Sequence, residues 1–316
     1  MRLTPVVKGA ATYIPGLSRA LSTWRTAGTG GTDTAAYCYG VWLKHLTLLW
    51  AHGLRTIPDT MAELGPGDSL GTGLAALLSG VNHYYALDVV HYAHTPRNLV
   101  IFDELVALFQ RRAARPTKGW PDYDAYLDAS LFPSHILTRS VLEMALAPER
   151  IAAIRAALVD PGLDTDRITI RYMVPWNEAA VIRPATVDLI LSHSVLEHIV
   201  DLEDTYCACA LWLRPGGWMS HQIDFTAHHL AHVWNDHWTY PDWLWQIVMG
   251  KRSFHLNRQP SSHHLQLLGA NGFEIVCYLQ RNGTNGIKRA QLAPGWRGLS
   301  EADFTCAGAF VQARQR

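Results

Sequence analysis

The feature that most constrains this chain is the run TMAELGPGDSLGTGLAALLSGVNHYYALDVV, residues 60–90. A short apolar strand, a glycine-rich turn, a helix of small residues and a second apolar strand follow one another directly, which reads as a βαβ unit. Two strands joined through a helix lie parallel, and the turn after the first then sits at the carboxyl edge of the sheet, where doubly wound folds bind their ligands. Gly65 and Gly67 let main chain approach a ligand with no Cβ in the way. Asp88 ends the second strand about 20 residues after the turn, where a carboxylate suits a ribose diol. The turn alone leaves NAD, FAD, S-adenosylmethionine (SAM) or no ligand open.

The rest of the chain repeats the alternation. Tyr39, Val41, Trp42, His45, Leu46, Leu49 and Trp50 recur with helical spacing before Gly53. Strands are expected at RITIRYM and TVDLILSHS, then a helix through Ala210, and a further strand after the Pro215-Gly216-Gly217 turn. HHLQLLGANGFEIVCYLQ reads as helix, turn and strand, and ADFTCAGAFVQAR as a last strand, the two strands forming an antiparallel edge pair. Between Pro96 and Gly162 the pattern is helical and too long for a plain crossover. The expected organisation is therefore an N-terminal helical cap, residues 1–58, and an α/β domain, residues 59–316, with a lid-forming helical insertion at about 95–163.

Composition narrows the partners. Lys plus Arg and Asp plus Glu are both 27, so no net field draws a polyanion, and nucleic acid falls away as a partner. No stretch approaches the roughly 20 apolar residues that span a bilayer, and no secretory h-region opens the chain. The scattered cysteines, Cys38, Cys207, Cys209, Cys277 and Cys306, read as reduced thiols. A cytoplasmic protein acting on a small molecule, as a monomer or homodimer, is the expectation.

Val187-Asp188-Leu189-Ile190-Leu191-Ser192-His193-Ser194-Val195-Leu196-Glu197-His198, followed after one helix by Leu213-Arg214-Pro215-Gly216-Gly217, resembles the fourth and fifth strands of type-11 class I SAM-dependent methyltransferases. The resemblance extends to a bacterial branch through Glu63 to Leu70, His221-Gln222-Ile223-Asp224-Phe225 with His228, and Asn257-Arg258. It implies a Rossmann-like doubly wound sheet of seven strands in the order 3-2-1-4-5-7-6. It also implies that Glu63, Gly65, Gly67 and Ser69 line the methionine end of SAM, Asp88 the ribose, and His193 and Ser194 the region beside the sulfonium. The adenine neighbour falls between Met173 and Asn177. Where the branch carries Asp-His, this chain has Ala227-His228, so Asp224, His229 or Asp236 would have to substitute for the carboxylate that orients the histidine.

The stretch from Trp218 to His264 concentrates histidine and tryptophan. His221, Asp224 and His228 are the expected acceptor-pocket residues, one histidine serving as general base, since an imidazole titrates near neutrality. The same set could instead be structural hydrogen bonders beneath an aromatic lid. A metal set of His221, Asp224, His228 and His232 is a further alternative, because positions 228 and 232 share a helical face. Glu197 and His198 read as packing and capping residues. Two rival functions remain: a degenerate SAM-binding partner protein, and a nicotinamide-dependent oxidoreductase, which Leu70 disfavours by breaking GxGxxG.

Overall fold

A computed structural model describes residues 3–14, 31–116, 126–127, 131–162, 167–176, 178–228, 230–251 and 255–316. The central sheet holds β1 (Thr60–Leu64), β2 (His83–Leu87), β3 (Thr169–Met173), β4 (Val187–His193), β5 (Leu213–Asp224), β6 (Phe273–Asn282) and β7 (Cys306–Gln315). Their spatial order is β3-β2-β1-β4-β5-β7-β6, as the resemblance implied. β7 runs antiparallel to β5 and β6, and the other pairings are parallel.

Alternation along the strands gives each face of the sheet its own core. Met61, Tyr84, Leu189, Leu191 and Trp218 point to one side. There they meet α2 (Ala35–Ala51), α3 (Gly71–Leu77), and three helices between β2 and β3: α4 (Thr95–Gln110), α5 (Arg139–Ala145) and α6 (Pro148–Val159). α3 lies close against β2 because Gly73 has no side chain: a Cβ there would stand 2.0 Å from the Tyr84 ring. Ala62, Leu64, Val187, Ile190, Met219 and Ile223 point to the other side, against α7 (Leu202–Trp212) and α9 (Ser261–Ala270). α8 (Asp242–Met249) packs on α1 (Leu3–Ala11) and forms a smaller core with Ala227, Tyr240 and Leu256. The short helix α10 (Glu301–Thr305) leads into β7.

The described helices of the insertion form part of a sheet layer. Ile101, Phe102, Leu105, Phe109, Leu142 and Ile154 belong to the same core as β1 and β4. Of the segment expected to serve as a lid, about 95–163, residues 117–125, 128–130 and 163 lie outside the described residues. α2 is sunk into the sheet rather than set upon it. Thr34 caps its first turn by accepting from the Tyr37 amide, and even Lys44 and His45 are fully buried. No helix among the described residues is long and apolar enough to cross a membrane. All five cysteines are unpaired, with only Cys207 exposed.

The register fixes where a ligand can meet the sheet. Leu64 lies opposite Leu87 and Ser192, and His193 opposite Gln222. The carboxyl ends of β1, β2, β4 and β5 are therefore level, and the loops starting at Gly65, Asp88, Ser194 and Phe225 rise from one rim.

Candidate active site

At the β1 end of this rim the chain turns through Gly65 at φ +65° and Gly67 at φ +74°, left-handed conformations that favour glycine. A Cβ on Gly65 would come within 2.7 Å of the Val195 side chain, so the turn also depends on a close approach from the β4 loop. Asp88 sits beside it. One carboxylate oxygen accepts from the Val89 amide at 2.7 Å, and the other faces the Gly67 amide at 3.4 Å. This is a main-chain cradle with an adjacent carboxylate, and it fits the adenosyl and amino-acid parts of SAM.

Glu63 and Ser69, expected to line the cofactor, are turned inward and brace the loop. Glu63 is buried, accepts from the Tyr84 hydroxyl at 2.5 Å, and is also held by Thr72 and the Gly73 amide. Burial raises its carboxyl to about 7. Ser69 donates to the Thr32 carbonyl and accepts from the Gly71 amide at 3.1 Å, while the Asp68 amide donates to Thr32 Oγ1 at 2.8 Å. The segment before α2 thus straps the glycine loop from outside. Beyond β3, Trp176 donates its amide to the Asp88 carbonyl at 3.1 Å, and Asn177 lies outside the described residues.

At the β4 end, His193 Nδ1 stands 3.2 Å from His45 Nε2, and His45 Nδ1 is 2.8 Å from Ser220 Oγ. Lys44 donates to Gln222 at 3.2 Å in the same buried polar layer. Burial pulls both imidazoles well below their ordinary value, so they are neutral. Ser194 has φ +56°, and its hydroxyl is buried with no hydrogen-bond partner.

The three residues expected in the acceptor pocket do not stay together. Alternation along β5 sends His221 beneath α7 and α9, where Nδ1 meets Ser192 Oγ at 2.8 Å and burial lowers its pKa to about 3. Asp224 and His228 meet at the rim, His228 Nε2 lying 3.3 Å from Asp224 Oδ2. Asp224 therefore supplies the carboxylate that Ala227 lacks. Asp236 instead accepts from the His232 amide at 3.1 Å, and His229 lies outside the described residues. Burial lowers the pKa of His228, but the neighbouring Asp224 and Glu197 outweigh it and the net direction is up. Burial likewise raises Asp224, but His228 and Thr226 outweigh it and the carboxylate is held low.

Glu197 is the residue that sequence reasoning placed elsewhere. It is 2% exposed, its Oε1 lies 3.9 Å from His228 Nε2, and burial raises it to about 8. Neither of its carboxylate oxygens makes a well-formed hydrogen bond. It lines a small cavity of about 10 Å³ together with Asp224, Thr226, His237 and Asn257. Among the described residues, the donors close enough to share a metal ion are those of Glu197, His198 and His228. The expected set of His221, Asp224, His228 and His232 is not the one that converges.

Asn257 and Arg258 frame this pocket. Asn257 donates its amide hydrogens to the carbonyls of Leu196 at 2.7 Å and Ile199 at 2.8 Å, and its backbone N–H to Glu197 at 2.9 Å. Arg258 is 6% exposed, donates to the His237 and Tyr240 carbonyls and to Asp242, and lies 5.0 Å from the rings of both Trp245 and Trp296. From the tryptophan cluster, Trp245 thus packs on this arginine and Trp238 donates to its carbonyl at 3.0 Å, while Trp243 is exposed.

A family model described as "Methyltransferase domain" matches residues 129–220, a span that includes β3, β4 and most of β5 but not the glycine loop. A ubiquinone biosynthesis O-methyltransferase from Methylocella silvestris is 33% identical over 111 residues, 34% of this chain and 41% of that protein. The chain thus spans well under half the length of this curated relative. Among solved structures, a SAM-dependent methyltransferase from Methanosarcina mazei aligns with TM-score 0.43 at 11% identity, over 85% of this chain and 96% of that one. One from Mesorhizobium loti aligns with TM-score 0.39 at 14% identity, over 85% and 96%.

Proposed function

We infer that this chain, which carries a class I methyltransferase domain, moves a methyl group from SAM to an oxygen or nitrogen nucleophile of a small molecule, a sugar or a secondary metabolite. The observation that carries this reading is the level rim, on which the Gly65–Gly67 turn, Asp88 and the 193–197 segment adjoin. The Gly65 and Gly67 main chain would hold the amino-acid end of the cofactor, and Asp88 its ribose. When bound, SAM supplies an electrophilic methyl on a sulfonium, whose sulfur keeps the S–C electron pair as the new bond forms.

The protein's own task is to align the acceptor, exclude water and take its proton. The Asp224–His228 pair stands at the acceptor end for that purpose, Asp224 orienting the imidazole and His228 receiving the proton. Val195, against Gly65, and Glu197, beside His228, lie two residues apart and connect the two ends. Because Asp224 takes the place of the missing carboxylate, an active enzyme is favoured over a degenerate binding partner. The setting we propose is cytoplasmic.

The test is calorimetry with S-adenosylhomocysteine, SAM and NAD at matched concentrations. Micromolar binding of the first two and no heat with NAD is expected. Asp88→Ala should weaken S-adenosylhomocysteine by about 10- to 100-fold, the worth of hydrogen bonds to a charged group. No heat with either adenosyl ligand in the folded protein ends the proposal.

A further inference from the structure

We propose that Glu197, His198 and His228 hold a divalent transition-metal ion at the acceptor end of the rim, with Asp224 positioning His228 beside them. Each of the three offers a donor atom within 4.8 Å of the others. His228 Nε2 is also 3.3 Å from Asp224 Oδ2 and 3.9 Å from Glu197 Oε1. Two ligands about 2.0–2.2 Å from a tetrahedral ion stand roughly 3.3–3.6 Å apart, so Glu197 and His228 need only small shifts to close on one.

The independent observation is the state of Glu197. A carboxyl group buried this fully normally spends its oxygens on hydrogen bonds, because leaving them bare is costly. Here neither oxygen makes a well-formed hydrogen bond: Oε1 has His228 Nε2 at 3.9 Å, the backbone amides of Glu197 and Asp224 are the other nearby donors, and Glu197 lines the pocket. A cation satisfies both at once. His198 adds a second-layer feature typical of a ligating histidine: its Nδ1 is 2.6 Å from the His255 carbonyl, which fixes the ring and directs Nε2 the other way. Asn257 pins the backbone on both sides of Glu197, so the carboxylate is presented by a fixed turn.

The donor set, two imidazoles and a carboxylate, suits zinc, manganese or iron better than calcium or magnesium, which prefer all-oxygen shells. The proposal rests on the reading of this rim as the acceptor end and revises one role within it. An acceptor hydroxyl bound to the ion would lose its proton more readily, and His228 would act as a ligand rather than as the free base.

The test uses the full chain, stripped with a chelator and dialysed, then titrated by calorimetry with zinc, manganese and magnesium salts separately, with S-adenosylhomocysteine binding measured on the same samples. About one equivalent of zinc or manganese should bind, and magnesium more weakly. Glu197→Gln, which keeps the shape of the side chain, and His228→Ala should each lower metal affinity about 10-fold or more while S-adenosylhomocysteine affinity holds, which also verifies folding. Stoichiometry well below one, or unchanged affinity in Glu197→Gln, overturns the metal site. If metal fails while S-adenosylhomocysteine binds, the methyltransferase reading stands with His228 as base. Metal binding without S-adenosylhomocysteine binding leaves the metal site and removes that reading.

Discussion

Glu63 holds the place before the glycines that the sequence suggested, and its buried carboxyl meets Tyr84, Thr72 and the Gly73 amide. Its position before the glycines was legible from the sequence, but which side of β1 it faced was decided by strand alternation, and that side is the one covered by α2 and α3. Its carboxyl is raised from 4.5 to about 7 in the fold, so the folded state holds a proton that the unfolded chain has released. The associated stability is present below pH 4.5 and is lost as the pH climbs through about 7. Between those limits the wild type should lose up to roughly 3 kcal/mol relative to Glu63→Gln, which cannot titrate. Denaturant unfolding of both proteins across that range measures the difference, and parallel curves would refute it. Glu197 teaches the complementary lesson. It lay in plain view within the Val195-Leu196-Glu197-His198 signature, yet nothing in one sequence said that a single 3₁₀ turn, rather than the first turn of a helix, would aim it into a pocket.

At the level of elements, the strands were readable as short apolar runs bounded by turns, which are local signals, whereas their order in the sheet came from the family resemblance. The partition of the acceptor residues was not readable. His221 and Asp224 are separated by an odd step along β5, so they face opposite sides of the sheet, a consequence available from alternation once the strand is known to run to Asp224. Asn257 is the small tie that joins two such elements, the turn after β4 and the segment before α9. Asn257→Ala removes two side-chain hydrogen bonds to buried carbonyls and should cost about 2 kcal/mol. Hydrogen exchange should speed up at residues 195–199 before it does in the sheet. Uniform protection across that turn would mean the tie is dispensable.

For the molecule as a whole, the N-terminal segment was expected as a cap and is, in its α2 part, a piece of the interior. Trp42, Leu43, Leu46 and Leu49 belong to the same core as β1 and β4, and Lys44 and His45 reach the polar layer over β5 and β7. We therefore expect a chain that starts at residue 59 to be insoluble or molten, judged by dye binding and loss of near-ultraviolet dichroism, rather than a trimmed active domain. A soluble, cooperative fragment with intact S-adenosylhomocysteine binding would contradict this.

The burial of α2 also imposes an order of events on the ribosome. The His45 ring rests 4.7 Å from that of Phe310, so one side of this apolar helix docks on a strand made some 260 residues after it. At about 5–20 residues per second, that helix waits on the order of tens of seconds without its berth. During that interval the side of the helix that meets β7 stays uncovered, which lengthens the time open to premature self-association.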